Sequence, residues 1–413
     1  MKKLLALTLA SLLLLAFAAG CVSASPSAGT PGGNTNTDGS GSQPGGETVD
    51  LLVWGPQEGM EFLNKAIEEF KNAHPENTYN ITTAIVNEGD AKSRLLEDPE
   101  AGADVFAFAD DQLRDLVGAG ALYEITRNAG DIKSRNVSTA VDICTLDGKL
   151  MAYPQTGDNG YFLYYDKSVI SAEDAKTLDA ILARCNDTGM KFIYAVNEAW
   201  ITASWFLAQG TLGLGDDGKQ IVDFNNANGL AAAEAMIAMV NSGAWVTGWN
   251  EVMTDSMGDT IAAGVSGTWM ANDMITKLGD NYAATKLPTA TIGGRQVQLS
   301  SFFGGKLVGV NSQSKVAVHA MDFADFLTGE TMQALNFEMR GIGPTNIKVA
   351  DSADVKANIA LAAFAEQAKY AYPQRDVQGS YWDAVGAFGS EVVNGITGSP
   401  QSLLDEMVAQ IME

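Results

Sequence analysis

The chain has 413 residues, of which 26 are Lys or Arg and 50 are Asp or Glu, so its formal net charge at pH 7 is −24. A surface this acidic repels nucleic acid and anionic lipid headgroups, and we expect neither as a binding partner. The part of the chain that follows residue 48 is long enough for two domains of ordinary size.

The N-terminal segment has the pattern of a secretory signal peptide. Two lysines precede an apolar run at residues 4–19, which is too short for a membrane-spanning helix. The run ends in Ala18-Ala19-Gly20-Cys21, which resembles the lipobox of bacterial lipoproteins. We predict a signal peptide at residues 1–20, followed at residues 21–48 by a lipidated Cys21 and a flexible Ser/Gly/Pro-rich tether. An ordinary cleaved signal or a membrane helix is the alternative.

Cysteine and histidine are scarce in the rest of the chain. Once Cys21 carries lipid, Cys144 and Cys185 are left, in a location that permits disulfides. The sequence leaves two alternatives open, a disulfide between them or two separate buried thiols. There are only two histidines and no CxxC or HExxH pattern, so we predict no metal site.

Patterns typical of cofactor binding or catalysis are weak. Residues 213–218 match GxGxxG, but they follow a predicted helix and precede a predicted strand, so we interpret them as a turn. Asp216 and Asp217 within this turn are interpreted as part of a surface loop rather than a cation site. Phosphate-loop and nucleophile-elbow patterns are absent, and we expect neither a cofactor nor enzymatic activity.

The first half of the folded part alternates strands with helices. Apolar or alternating patterns predict strands at residues 49–54, 79–83 and 104–109. Helical spacing of apolar residues predicts helices at residues 60–73, 90–96 and 110–117. Such alternation indicates a parallel sheet with helices on both faces.

The stretch at residues 148–167 lies between the two patterned halves of the chain. Asp147 and Gly148, at the start of the stretch, are the signal of a tight hairpin turn. Both ends of the stretch have the pattern of buried strands. Between these ends, Pro154-Gln-Thr-Gly-Asp-Asn-Gly160 interrupts the apolar pattern. We interpret the interruption as a hinge between two lobes, with a binding site beside it.

The pattern of a second α/β lobe begins after the hinge. Strands or extended segments are predicted at residues 191–196, 264–270 and 299–310. Helices are predicted at residues 171–185, 198–209, 226–241, 315–327, 330–339, 355–370, 382–394 and 400–411. Pro400 behind Ser399 is the expected order for a helix start.

Several aromatic residues lie at predicted strand ends, loop borders and helix starts, namely Trp54, Phe108, Tyr161, Trp200, Trp269 and Trp382. Strand ends that face the crevice of an α/β fold are the usual place for a ligand. Aromatic faces beside carboxyl and amide groups match a sugar, which has apolar C–H faces and a rim of hydroxyl groups. The alternative for each aromatic residue is a place in the core.

Seven short segments occur in a characteristic order, Val53-Trp54, Asp104-Val-Phe-Ala-Phe108, Lys149-Leu-Met-Ala-Tyr-Pro154, Leu163-Tyr-Tyr-Asp-Lys167, Ser266-Gly-Thr-Trp269, Leu287-Pro288-Thr289 and Tyr381-Trp382-Asp-Ala-Val385. Together they resemble the maltose/maltodextrin-type solute-binding proteins of bacterial ABC importers. The likeness covers essentially the whole chain after the tether. It implies an α/β periplasmic-binding-protein fold, in which two lobes joined by a multi-strand hinge close on a ligand in the cleft.

The resemblance also implies how the chain is divided between the lobes. The N-terminal lobe would take residues 49–155 and 306–350, and the C-terminal lobe residues 156–305 and 351–413. The three interlobe crossings would lie near residues 155–159, near residues 302–305 and near Asp351.

The site residues implied by the resemblance come from both lobes. Trp269 and Trp382 match tryptophans that stack on sugar rings, and Trp200 follows Glu198 as an aromatic follows an acid in the family. The other positions expected to bind ligand are Trp54, Glu58, Phe108, Asp110, Asp111, Asp158 or Asn159, Tyr161, Tyr381 and Asp383. Gln112 and Asp383 stand where maltodextrin binders carry Arg and Tyr. The resemblance therefore implies a carbohydrate ligand but does not identify it as maltodextrin.

The resemblance implies a lipoprotein on the outer face of the bacterial cell membrane, or in the periplasm, that captures a sugar or oligosaccharide. It would deliver this ligand to the permease subunits of an ABC importer, and we expect it to be a monomer. Two other functions are left open by the residues, a binding protein for a peptide or an anion and a secreted glycan hydrolase.

Overall fold

The computed structural model describes residues 46–215 and 218–413. The predicted signal peptide, Cys21, most of the predicted tether, and Asp216 with Asp217 lie outside the described residues. No helix of the described part is long and apolar enough to cross a membrane.

Seventeen strands are found in the described residues. In chain order they are β1 Thr48–Gly55, β2 Thr78–Ile85, β3 Val105–Ala109, β4 Thr145–Leu146, β5 Lys149–Leu150, β6 Tyr153–Gly160, β7 Phe162–Asp166, β8 Lys191–Ile193, β9 Leu212–Leu214, β10 Gln220–Val222, β11 Trp245–Val246, β12 Ile261–Ser266, β13 Tyr282–Thr285, β14 Thr289–Ile292, β15 Arg295–Gln298, β16 Ser301–Val310 and β17 Ala371–Pro373.

The same residues form seventeen α-helices, and short 3-10 turns precede several of them. In chain order the helices are α1 Met60–Ala73, α2 Ala91–Glu97, α3 Leu113–Gly118, α4 Ala129–Arg135, α5 Ser138–Ile143, α6 Leu178–Thr188, α7 Ala199–Leu207, α8 Ala227–Val240, α9 Asn250–Ser256, α10 Ala271–Leu278, α11 Ala317–Leu327, α12 Glu330–Arg340, α13 Ile347–Ala350, α14 Ala353–Ala357, α15 Ile359–Ala368, α16 Gly379–Asn394 and α17 Pro400–Met412.

The first large sheet has the strand order β17-β16-β3-β1-β2, and β6 also pairs with β16. Strands β1, β2 and β3 are parallel, as the alternation of strands and helices predicts, whereas β16 runs antiparallel to β3. All five residues of β3 are buried, which is typical of a strand covered on both faces.

The second large sheet has the order β11-β8-β12-β7-β13. Strands β11, β8 and β12 are parallel, and β7 runs antiparallel to both of its neighbours. Phe162 and Tyr164 of β7 pack in one apolar cluster, while Leu163 and Tyr165 pack in another. Because successive residues of a strand point to opposite faces, helices cover both faces of this sheet.

Two large apolar cores correspond to the two sheets. One core contains Val53, Phe70, Phe106 and Phe323 and draws on residues 49–153 and 307–332. The other is centred on aromatic residues such as Trp205, Phe206 and Phe388 and draws on residues 161–302 and 377–411. The predicted two-lobed α/β fold is therefore confirmed, although each sheet is mixed rather than parallel.

Strand β16 passes from one lobe to the other. Its residues 306–310 pair with β3 of the first lobe, and its residues 301–303 pair with β17. Its residues 303–308 also pair with β6, which continues through Tyr161 into β7 of the second sheet. The predicted interruption at residues 154–160 is thus part of a strand, although its pairing with β16 shifts register twice and its side chains carry no apolar pattern.

Three other details differ from the predicted elements. The helix predicted at residues 171–185 is a 3-10 turn followed by α6, because the side chain of Thr177 caps the helix start by accepting a bond from Ala180 N. The helix predicted at residues 355–370 is divided at Asn358, whose side chain caps α15. Strand β8 ends at Ile193 and is shorter than predicted.

The two cysteines of the described residues, Cys144 and Cys185, are free and buried, and they lie in different cores. Cys144 belongs to the core of the first lobe and Cys185 to that of the second. The structure therefore has two separate buried thiols and not the disulfide that the sequence left open.

Candidate functional site

A cavity of about 1410 Å³ lies where the carboxyl ends of β1 and β3 face α7, α9 and α16. Side chains of both lobes line it, including Glu58 and Asp111 on one side and Trp200 and Trp382 on the other. The strand ends of an open α/β sheet carry the loops that are free of ladder hydrogen bonds, and ligand sites of such folds occur there. No group of three or more His, Cys, Asp or Glu among the described residues is arranged to hold a metal ion.

Three tryptophans form a cluster on one wall of the cavity. The ring centroids of Trp200 and Trp269 are 5.8 Å apart, and that of Trp249 lies 6.4 Å from each of them. All three are half-buried, so part of each ring faces the cavity. The buried ring of Tyr161 supports Trp200 from behind, with a centroid distance of 4.6 Å.

A fourth tryptophan, Trp382, lies in the first turns of α16. Its ring packs edge to face against Phe302 and Tyr381, at centroid distances of 5.5 and 5.0 Å. Both supporting rings are fully buried, whereas Trp382 is half-buried and lines the cavity. The core thus fixes the orientation of an aromatic face that is open to a ligand.

Gln374 connects polar groups of both lobes at the base of the cavity. Its Nε2 donates a hydrogen bond to Asp111 Oδ1 at 2.8 Å. Its Oε1 accepts bonds from Trp200 Nε1 at 2.7 Å and from Asn159 Nδ2 at 3.3 Å. The amide therefore ties an acid after β3 to the hinge strand β6 and to the tryptophan cluster.

Carboxyl groups dominate the charge of the cavity. Nine of them line it, on Glu58, Glu88, Asp90, Asp111, Glu198, Glu251, Asp255, Asp273 and Asp383. Among the residues that the structure describes, Lys306 is the one basic side chain in the lining. Its Nζ lies 3.2 Å from Glu88 Oε1 and 5.2 Å from the ring centroid of Trp269, so its charge is already engaged.

Burial shifts the titration of three of the acids in and below the cavity. Burial raises the pKa of Asp111 to about 6, although the hydrogen bond from Gln374 opposes the shift. It also raises the pKa of Glu198 and, far more strongly, that of Asp110, where the neighbouring charge of Asp111 adds to the rise.

Eight of the residues predicted to bind ligand line the cavity. They are Glu58, Asp111, Asn159, Glu198, Trp200, Trp269, Trp382 and Asp383. These residues come from segments that are far apart in sequence, such as those around residues 58, 111, 200 and 382, and the fold brings them together. Their contacts with a ligand stay a prediction.

Six other residues predicted at the site do not line this cavity. Trp54 and Phe108 pack against Phe106 in the core of the first lobe, and Asp110 is fully buried. Tyr161 and Tyr381 lie behind Trp200 and Trp382 and support them. The sixth, Asp158, also points away from the cavity. All six lie in or next to the predicted segments, but the directions of their side chains bury them.

The choice between Asp158 and Asn159 is decided by the alternation of β6. Asn159 faces the cavity and bonds to Gln374. Asp158 is 4% exposed and accepts hydrogen bonds from Thr268 Oγ1 and from Gly343 N instead. Neighbouring residues of a strand point to opposite faces, so only one of the two can face the cavity.

Sequence reasoning missed Gln374, Trp249 and Lys306. Gln374 lies just after a three-residue strand that shows no pattern of its own, and Lys306 looks like an ordinary polar residue of β16. Trp249 between Gly248 and Asn250 carried the signal used for the other tryptophans, an aromatic at a loop border beside an amide. The same criterion, applied to every tryptophan, would have predicted Trp249 as a site residue.

Comparison with known proteins supports this architecture. A family model for bacterial extracellular solute-binding proteins matches residues 65–363. One similar solved structure, determined with acarbose, is 29% identical, covers 88% of this chain and 99% of its own, and has a TM-score of 0.80. No curated protein sequence matches the chain.

Two further solved structures are more distant. The maltodextrin-binding protein MalE1 from L. casei BL23, solved without ligand, is 24% identical, with coverage of 89% and 99% and a TM-score of 0.73. The Thermus thermophilus maltotriose-binding protein bound with maltotriose is 19% identical, with coverage of 88% and 99% and a TM-score of 0.75. At these identities the two structures show a shared fold.

The two α/β lobes, the strands that cross between them and the cavity at their border define a binding protein of the periplasmic type. The family match spans well over half of the chain. The chain therefore belongs to the bacterial extracellular solute-binding proteins, and its location is extracytoplasmic.

Proposed function

We propose that this solute-binding protein captures an oligosaccharide of neutral sugars in the cavity between its lobes. The observation that carries the proposal is the meeting of four tryptophan faces with carboxyl and amide groups in one cavity. Indole rings cover the apolar C–H faces of a sugar, and carboxyl and amide oxygens accept hydrogen bonds from its hydroxyl groups. The volume of about 1410 Å³ exceeds the roughly 300–1,000 Å³ of common small-molecule sites, which favours a ligand of several rings.

The similar structure determined with acarbose, an oligosaccharide analogue, supports this ligand class. An anion is disfavoured because nine carboxyl groups line the cavity and its lysine is engaged by Glu88. Gln112 and Asp383, which differ from the maltodextrin pattern, favour a sugar other than maltodextrin or a different arrangement of its rings.

We propose that the ligand is passed to the permease of an ABC importer after hinge closure. The lobes proposed for this motion are residues 49–155 with 306–350 and residues 156–305 with 351–413. The separate apolar cores support these boundaries, and β6 and β16 are the strands that would bend. A ligand that contacts both lobes favours the closed state by its extra contacts in that state. We propose that the protein acts as a monomer and catalyses no reaction.

We also propose that the mature protein is held at the outer face of the membrane by lipid on Cys21, after removal of residues 1–20. The lipobox-like segment supports the proposal. A Cys21→Ser variant tests it, because the unmodified protein should appear in the culture medium or the soluble periplasmic fraction. Recovery of this variant in the membrane fraction at the wild-type level would contradict the lipid anchor.

Titration calorimetry with maltose, longer maltooligosaccharides, and oligosaccharides of other neutral sugars tests the ligand class. We expect saturable binding with at least one series and an affinity that rises with the number of rings. Mass spectrometry of the ligand that copurifies with natively expressed protein identifies the natural sugar. Binding of peptides with no response to any oligosaccharide would reject the proposal, and release of reducing ends from a bound glycan would indicate a hydrolase instead.

A further inference from the structure

Asp158 joins three segments of the chain beneath the cavity. It lies on β6, the strand that leads from the first lobe to the second, and it is 4% exposed. Its Oδ2 accepts a hydrogen bond of 2.6 Å from Thr268 Oγ1 and one of 2.5 Å from Gly343 N. One carboxyl oxygen thus holds the residue that precedes Trp269 and a residue of the connection that follows α12.

The segment that carries Trp269 is fixed at a second point. The hydroxyl of Tyr164 donates a bond of 2.8 Å to Gly267 O. A Cβ atom on Gly267 would lie only 2.0 Å from the Trp269 ring, so the ring lies directly against the backbone of its own turn. The bonds at Gly267 and Thr268, the two residues just before Trp269, therefore fix the turn that sets where the ring stands in the cavity wall.

The connection after α12 is held equally closely. Gly343 O accepts a bond of 3.1 Å from Gly157 N, and a Cβ on Gly343 would lie 2.8 Å from the Cβ of Asp158. A larger residue would push the carboxyl group away from Thr268. The close approach makes Asp158 a rigid link between this connection, the hinge strand and the tryptophan wall.

We propose that Asp158 is a positioning residue that presets Trp269 for its ligand, an inference that rests on the proposed function of the cavity. Asp158 makes no contact with the cavity and acts through Thr268. If the link is broken, the Trp269 turn gains freedom that the ligand has to remove on binding. Ordering one large side chain at binding costs enough to weaken affinity about threefold to tenfold.

A matched pair of variants tests the link with little risk to folding. Thr268→Val removes the hydroxyl at nearly constant volume, and Thr268→Ser keeps it. Thr276→Val is the control, since its hydroxyl bonds to Asn272 O within α10 and does not touch Asp158. The ligand is the oligosaccharide that wild-type protein binds most tightly in the calorimetry panel. We expect Thr268→Val to bind it about threefold to tenfold more weakly, with the other two within about twofold of wild type.

Asp158 itself is tested by the same logic. Asp158→Asn keeps an acceptor oxygen and should retain most of the affinity for the oligosaccharide. Asp158→Ala removes the acceptor and should lower that affinity as Thr268→Val does. If Asp158→Ala fails to fold, the Thr268 pair decides alone.

A ligand-free measurement separates this inference from the proposed function. The near-ultraviolet circular dichroism of Trp269 is obtained as the difference between each protein and the same protein with Trp269→Phe. We expect this difference spectrum to change in Thr268→Val and to be retained in Thr268→Ser. An unchanged spectrum in Thr268→Val would overturn the positioning role, even where sugars bind. Failure of wild-type protein to bind any oligosaccharide would reject the proposed function, while the spectra would still decide the role of Asp158.

Discussion

Gln374 donates a hydrogen bond of 2.8 Å to Asp111, and the same amide accepts one of 2.7 Å from the indole of Trp200. This single side chain therefore connects an acid beyond β3 with the tryptophan wall of the second lobe. The arrangement orients an acid and an aromatic ring toward the same cavity, and it explains why an unremarkable position in the sequence is central to the site.

Replacing Gln374 by Leu is expected to weaken oligosaccharide binding about tenfold. The change leaves Asp111 and Trp200 without their shared partner, and a lost hydrogen bond to a charged group costs about 1.5–3 kcal/mol. Calorimetry measures the affinity. Gln378→Leu is the matched control, because Gln378 bonds to Gln220 and Gly218 outside the cavity. Equal affinities for the two variants would contradict the role of Gln374.

The tryptophans are expected to supply much of the binding free energy. Trp269→Ala and Trp382→Ala should each weaken binding by about 2 kcal/mol, or about thirtyfold, because each removes an aromatic face from the cavity. Both side chains are half-buried, so the thermal unfolding midpoint should fall only modestly. Tyr370→Ala, an aromatic outside the cavity that is 44% exposed, is the control. Wild-type affinity in both tryptophan variants would show that the ligand does not bind in this cavity.

The raised pKa of Asp111, about 6, predicts a pH dependence of stability. An unfolded aspartate has a pKa near 3.9, so folded Asp111 takes up its proton more readily. Its contribution to the free energy of unfolding therefore rises as pH falls through about 6 and is complete below about 4. Relative to wild type, Asp111→Asn should be most stabilised at pH 7 and should lose that advantage progressively between about pH 6 and about pH 4. Thermal unfolding at several pH values checks this, and a difference that does not vary with pH would contradict it.

The charge of the cavity predicts discrimination against acidic sugars. A uronate oligosaccharide has to place carboxylates among nine carboxyl groups, and like charges in a partly desolvated site repel strongly. We expect its affinity to be at least about tenfold below that of the neutral oligosaccharide of equal length, with the gap narrowing at high salt. Competition measurements at low and high ionic strength check both parts. Equal affinities at low salt would show that the carboxyl groups lie away from the ligand.

The separate burial of Cys144 and Cys185 predicts two thiols that react only after unfolding. In a Cys21→Ser variant, a thiol reagent should detect no fast-reacting group in the native protein and two groups after denaturation without reductant. A count of zero after denaturation, restored to two by reductant, would show the disulfide that the structure lacks.

Many local elements were predictable because their signals lie within a few residues. Ser399 caps α17 and Asn226 caps α8 where the sequence places helix starts, since their side chains accept bonds from backbone N–H groups two or three residues on. Asp147 and Gly148 both have positive φ, as the predicted hairpin requires. The order of the segments was also enough to indicate the family and the two-lobed fold.

Other features depend on which distant segments meet. The run from Pro154 to Gly160 becomes a strand only because β16 offers it backbone partners. Phe108 and Trp382 have similar signals in the sequence, yet helices cover the first and leave the second facing the cavity. The sequence alone determined the class of fold and most element positions, because caps, turns and apolar spacing act locally. Only the tertiary structure decided that Asn159 faces the ligand cavity while Asp158 bonds to Thr268, because the direction of a side chain on β6 is set by its pairing with β16.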